Sequence, residues 1–224
     1  MQKTNIIEIC NRLKFDYMTY KDEICRIGDL TAIRFIKGKK YRRNYERSIL
    51  IMSLIKAFNV KSFFEFGTGR GFVTAAASIM NVPVIYTVDS ESTKTAINLL
   101  TKLGIKTDSI VFINKKSDQI IIDNFPKFDL VFIDGGHDYK SVKNDYEIAC
   151  KICDRGLIVF DDFRNKHKGV KKFIKTIPEN KILVNTDGWI FENSLISIAG
   201  DADKIVDKKE TASGQVIKPK GVEI

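Results

Sequence analysis

The spacing of apolar side chains changes character at Lys61. Before it, Ile6, Ile7, Cys10 and Leu13, and then Ile49, Leu50, Met52, Leu54 and Ile55, recur at the helical interval, which predicts helices within residues 4–27 and 44–58. After it come short apolar runs, each followed by a stretch with helical spacing: SFFEFG then TAAASIM, VPVIYTVD then TKTAINLLTKLG, SIVFIN then SDQIIIDNF, KFDLVFID then KSVKNDYEIACKIC, GLIVFDD then VKKFIKTI. Strands that alternate with helices and are apolar on both faces predict a parallel sheet buried between two helix layers. Beyond Pro178 two strand-like runs, KILVNT and WIFENSLISIA, follow each other with Asp187-Gly188 between them, a pair that predicts an antiparallel hairpin.

The expected fold is therefore α/β: a doubly wound, mostly parallel, seven-stranded Rossmann-like sheet ending in that hairpin, with helices placed ahead of it. The expected plan is an N-terminal helical and basic segment over 1–58, a main domain over 59–200, and a polar tail over 201–224. A chain of 224 residues suits one main core and one main site.

Composition narrows the class. Hydrophobic residues make up 44% and charged residues 29%, ordinary for a soluble protein, and no apolar stretch approaches the ~20 residues that cross a bilayer. The start, MQKTNIIEIC, lacks a signal-peptide core, so the expectation is a cytoplasmic chain whose cysteines are thiols and which makes no use of a membrane. Cys150 and Cys153 read as small hydrophobes rather than a metal pair, because no second ligand pair lies near them in sequence and the chain has 2 histidines in all. The net charge of +9 is concentrated in RFIKGKKYRRNYER, residues 34–47. That stretch reads either as an anion-binding patch, for a nucleic acid or an anionic substrate, or as a solvated face of a lysine-rich chain.

The segment FEFGTGRGFV, residues 64–73, joins the first strand of the alternating region to its helix. Glycines at 67, 69 and 71 allow positive φ and close approach of a ligand. Their spacing departs from G-x-G-x-x-G, and Glu65 beside them disfavours phosphate but suits a cation. S-adenosylmethionine is a cation without phosphate. Asp89, ending the next strand, is placed to accept hydrogen bonds from ribose hydroxyls. Farther on, Asp134 closes the strand of FDLVFIDGGHDY, and Asp161 with Asp162 closes GLIVFDDF. In a doubly wound sheet these ends are neighbours, so three carboxylates converge and call for a divalent cation, Mg²⁺ before Mn²⁺ or Ca²⁺. His137, with an ordinary pKa of ~6.5, reads as a general base for a substrate hydroxyl, and Tyr139 as part of the pocket wall. His167 and Lys168, which follow the aspartate pair, read first as a solvated helix start and second as groups within reach of substrate.

This pattern resembles the class I S-adenosylmethionine-dependent methyltransferases over residues 60–200, and IDGGHDY with the later DD is similar to metal-dependent O-methyltransferases: catechol O-methyltransferase and, more closely, the macrolide-sugar and cephalosporin-biosynthesis group. The resemblance implies that Glu65, Gly67, Thr68, Gly69 and Gly71 lie beneath the methionine and ribose, that Asp89 holds the ribose, and that Ser117 and Asp118 meet the adenine. It implies Asp134, Asp161 and Asp162 as metal ligands, with Asp134 also at the donor and His137 as base. The acceptor it favours is an aliphatic or sugar hydroxyl of a small molecule. Two other functions fit parts of the sequence: an RNA methyltransferase using residues 34–47, and a nicotinamide-dependent oxidoreductase on the same sheet. Self-association is left open.

Overall fold

The computed structural model describes residues 2–28, 33–36, 39–42, 45–153, 156–163, 166–177, 182–185, 195–198 and 214–217; for 2–5, 7, 33–46 and everything after 177 the description is of the backbone. Its core is five parallel strands: β4 (Ser62–Phe66), β5 (Val84–Asp89), β6 (Ile110–Asn114), β7 (Leu130–Ile133) and β8 (Leu157–Phe160). They are ordered β8-β7-β4-β5-β6, so the chain leaves β4 in one direction across the sheet and returns to its other side at β7. Right-handed crossovers then put the helices of the two halves on opposite faces, and the crevice lies where the order reverses, between β4 and β7.

The central strands fit this place because they carry no outward polar face. Phe63, Phe64 and Phe66 of β4 and every residue of β7 and β8 are buried. The helices α4 (Phe72–Ile79), α5 (Lys94–Lys102), α6 (Tyr139–Ile152) and α7 (Lys168–Thr176) cover the sheet. Asp138 caps α6, its Oδ1 accepting from the backbone N–H of Lys140 and Ser141 at 3.0 Å each. Asp129 Oδ2 accepts from the N–H groups of Lys61 and Ser62 at 2.8 and 3.0 Å, tying the start of β4 to that of β7.

The parallel run has five strands rather than seven, because the segments outside 62–160 join the sheet differently. β1 (Gln2–Asn5) pairs parallel with β9 (Ile182–Asn185), so the first residues of the predicted helix are extended. β10 (Leu195–Ile198) and β11 (Gly214–Ile217) run antiparallel to β8. The Asp187-Gly188 turn lies outside the described residues. Gly214–Ile217 belongs to the sheet although the sequence reads as a tail there.

The N-terminal helices are α1 (Ile6–Arg12), α2 (Lys21–Gly28) and α3 (Tyr45–Ala57). Between α2 and α3, β2 (Ile33–Ile36) and β3 (Lys39–Arg42) form a separate antiparallel pair, so most of the basic stretch is a ribbon. Of that stretch, Arg47 is the residue whose side chain is described. Cys153 is buried and Cys150 exposed, both as thiols. No described helix is long and apolar enough to cross a membrane.

Candidate functional site

The glycine loop is held from three sides. Gly67 has φ +91, and its N–H donates to the carbonyl of Val88 at 2.8 Å. A Cβ there would lie 2.2 Å from the carbonyl oxygen of Asp134, so the loop passes against the end of β7 as only glycine permits. The N–H of Gly69 donates to Asp89 Oδ2 at 2.8 Å, and the hydroxyls of Thr68 and Thr87 are 2.7 Å apart in the interior.

Over this loop opens a cavity of about 730 Å³, within the size range of small-molecule sites. Gly67, Asp89, Ser117, Asp118 and Asp134, all singled out from the sequence, line it. Ser117 and Asp118 sit on a 3-10 turn, Ser117–Gln119, and Asn144 Nδ2 donates to Ser117 Oγ at 3.2 Å. Thr68, Gly69 and Gly71 shape the loop from behind and do not line the cavity.

Glu65 is not at the mouth of the loop. It is 2% exposed and accepts from the hydroxyls of Thr74 and Thr87, the latter at 2.9 Å. Burial pushes its carboxyl up to about 8, so at neutral pH it is mostly a neutral acid inside the core, and its alternation with Phe64 and Phe66 gave no sign of this.

Among the lining residues that the sequence did not single out, Asp145 stands apart. Asp145 falls on the buried face of α6 with Val142, Ala149 and Ile152. It is 1% exposed, lines the cavity, and its Oδ1 has no hydrogen-bond partner among the described residues. Burial raises its carboxyl to about 6. The available signal was an acid at an apolar position of an amphipathic helix.

Asp134, Asp161 and Asp162 do converge, but around a cation that the chain supplies. The guanidinium of Arg47 reaches Asp134 Oδ2 at 3.4 Å, Asp161 Oδ2 in a closer contact, and Asp162 Oδ1 at 4.0 Å. Burial first, and Asp161 beside it second, push the Asp134 carboxyl well above the usual range, with Arg47 partly offsetting them. A guanidinium against all three acids takes the place of the ion, so they do not make an open oxygen cage for Mg²⁺. The metal set expected from the sequence does not fit this arrangement.

Consecutive acids serve different partners because Asp162 has a left-handed backbone, φ +59, a conformation aspartate adopts more readily than most residues. Its Oδ2 faces His137 Nε2 at 2.8 Å and His167 Nε2 at 3.3 Å. His167, read from the sequence as solvated, is thus drawn into the site, its side chain 14% exposed. Tyr139 packs edge-on against Phe173, centroids 5.6 Å apart, and lines neither cavity. A second cavity, of about 10 Å³, is bordered by Asp134, His137, Asp161 and Asp162.

Strand order, glycine loop and crevice define the class I methyltransferase architecture. Residues 64–163 match the family model described as a methyltransferase domain. No curated protein matches it in sequence. Among solved structures it is similar to an O-methyltransferase from Bacillus cereus in complex with S-adenosylhomocysteine, at 14% identity over 81% of this chain and 91% of that one, TM-score 0.57. It is likewise similar to the O-methyltransferase TomG from Streptomyces achromogenes in complex with S-adenosylmethionine (13%; 69% and 79%; TM-score 0.55) and to an rRNA methylase from Streptococcus thermophilus (11%; 69% and 93%; TM-score 0.53). At these identities the likeness is one of fold.

Proposed function

We propose that the protein transfers the methyl group of S-adenosylmethionine to a hydroxyl oxygen of a small molecule, a sugar being the first candidate. One observation carries this: Asp134, Gly135 and Gly136 line the large cavity and also border the small one beside His137, so the imidazole stands next to the wall of the donor cavity. The sulfonium methyl goes to the acceptor oxygen, the donor leaves as neutral S-adenosylhomocysteine, and the hydroxyl proton goes to His137. Asp162 orients the imidazole through Nε2, so that Nδ1 takes the proton. Arg47 balances the acids that a divalent cation would otherwise balance, and the transfer therefore runs without Mg²⁺.

The test combines calorimetry with an activity screen. S-adenosylmethionine and S-adenosylhomocysteine should bind while NAD⁺ does not, and methylation of a panel of sugars and diols should persist in EDTA. His137→Ala should lower turnover by about 10²–10⁴-fold with donor affinity kept. Loss of activity in EDTA restored by Mg²⁺ would mean that the cation displaces Arg47. A nucleic-acid acceptor, the second reading, would show instead as RNA methylation with steep salt dependence.

A further inference from the structure

We infer that His137, Asp162 and His167 form a binding site for one borderline transition-metal ion of the zinc type, with Asp162 taking part through Oδ2 rather than the Oδ1 that faces Arg47. The chain has 2 histidines, 30 positions apart in sequence, and both present Nε2 to the same carboxylate oxygen, at 2.8 and 3.3 Å. These three ligand atoms lie within 4.8 Å of one another. A tetrahedral ion with ligands at about 2.0–2.1 Å needs ligand atoms roughly 3.3 Å apart, close to the spacing found.

The surroundings are built for a single small occupant. His137 and Asp162 border the cavity of about 10 Å³, room for one water-sized species, and His167, outside its lining, meets the same Asp162 Oδ2. The two rings lie with centroids 4.0 Å apart and planes at 40°, angled toward each other. Their backbones are locked together as well: a Cβ on Gly169 would lie 2.5 Å from the carbonyl oxygen of His137, so the first turn of α7 seats directly on the His137 loop and carries His167 with it. Asp162 reaches the imidazoles through its left-handed turn, while Asp161 remains on Arg47.

Two imidazoles and one carboxylate are a nitrogen-rich set that suits Zn²⁺, Co²⁺ or Ni²⁺ far better than Mg²⁺. Three protein ligands leave a fourth position open. An ion here would also withdraw His137 from proton transfer and so inhibit the enzyme; that consequence rests on the proposed function, whereas binding does not.

The experiment is titration of the purified full-length protein with Co²⁺ alone, followed by absorption spectroscopy, and then displacement by Zn²⁺ or Mg²⁺. One equivalent should bind, with d–d bands, no sulfur-to-cobalt charge transfer, and displacement by Zn²⁺ but not by equal Mg²⁺. His167→Ala, and Asp162→Asn, which keeps both shape and left-handed tolerance, should each weaken binding at least about tenfold. S-adenosylmethionine affinity, measured in parallel, should be unchanged in His167→Ala, showing that the fold is kept. The inference is overturned by a sulfur charge-transfer band, which would place the ion on cysteine, by equal displacement with Mg²⁺, by unchanged affinity in both variants, or by no binding at millimolar Co²⁺.

Discussion

Arg47 and Asp161 form an ion pair in the interior, the aspartate side chain wholly inaccessible and the arginine 12% exposed, that ties helix α3 to the end of β8. The N-terminal segment is therefore fastened to the catalytic rim by charge as well as by apolar packing.

Cutting that pair strands a buried carboxylate. Arg47→Met should destabilise the protein by about 3–5 kcal/mol in urea unfolding. The double variant Arg47→Met, Asp161→Leu should recover most of the loss, because removing both charges leaves neither one stranded. Arg47→Lys should recover little, since one ammonium cannot face three acids as a planar guanidinium does.

Gly67→Ala should abolish donor binding in calorimetry and lower Tm. Its Cβ would meet the Asp134 carbonyl oxygen at 2.2 Å, and backbone, unlike a long side chain, has little room to yield.

Glu65 should make stability fall as pH rises. The folded carboxyl keeps its proton up to about 8, whereas its ordinary value is 4.5, so between these the folded state holds more protons than the unfolded one. The slope is at most about 1.4 kcal/mol per pH unit. Glu65→Gln should flatten this part of the stability curve without loss of donor binding, as urea midpoints at about pH 5 and about pH 8 would show.

Asp145 should make donor affinity depend on pH in the opposite sense. Its carboxyl ionises through about 6 at the wall of the large cavity, and the charge that appears there attracts a sulfonium-bearing ligand. Affinity for S-adenosylmethionine should rise several-fold from about pH 5 to about pH 7.5, and the rise should vanish in Asp145→Asn.

The parallel core was legible because its central strands are buried on both faces and so read as unbroken apolar runs, as LVFI and LIVF show. The strand-end rule placed Asp89, Asp134, Asp161 and Asp162 on one rim without any contact being known. Charge bookkeeping was not legible. Three converging acids demand a cation, but local sequence is silent on whether it is a metal or an arginine 87 positions earlier than Asp134. His167 was hidden for the same reason: a helix start looks solvated until the loop it docks on is known. Glu65 beside a ligand loop reads as exposed, and its burial follows from Thr74 and Thr87, which come from different elements.

Among the described residues, the two cavities share only Asp134, Gly135 and Gly136 among their polar or backbone-rich walls, together with no part of β5, β6 or α5. The enzyme is thus divided at a tripeptide. Under the proposed function, changes at the end of β8 and the start of α7 would redraw what the protein modifies while leaving the walls of the large cavity intact.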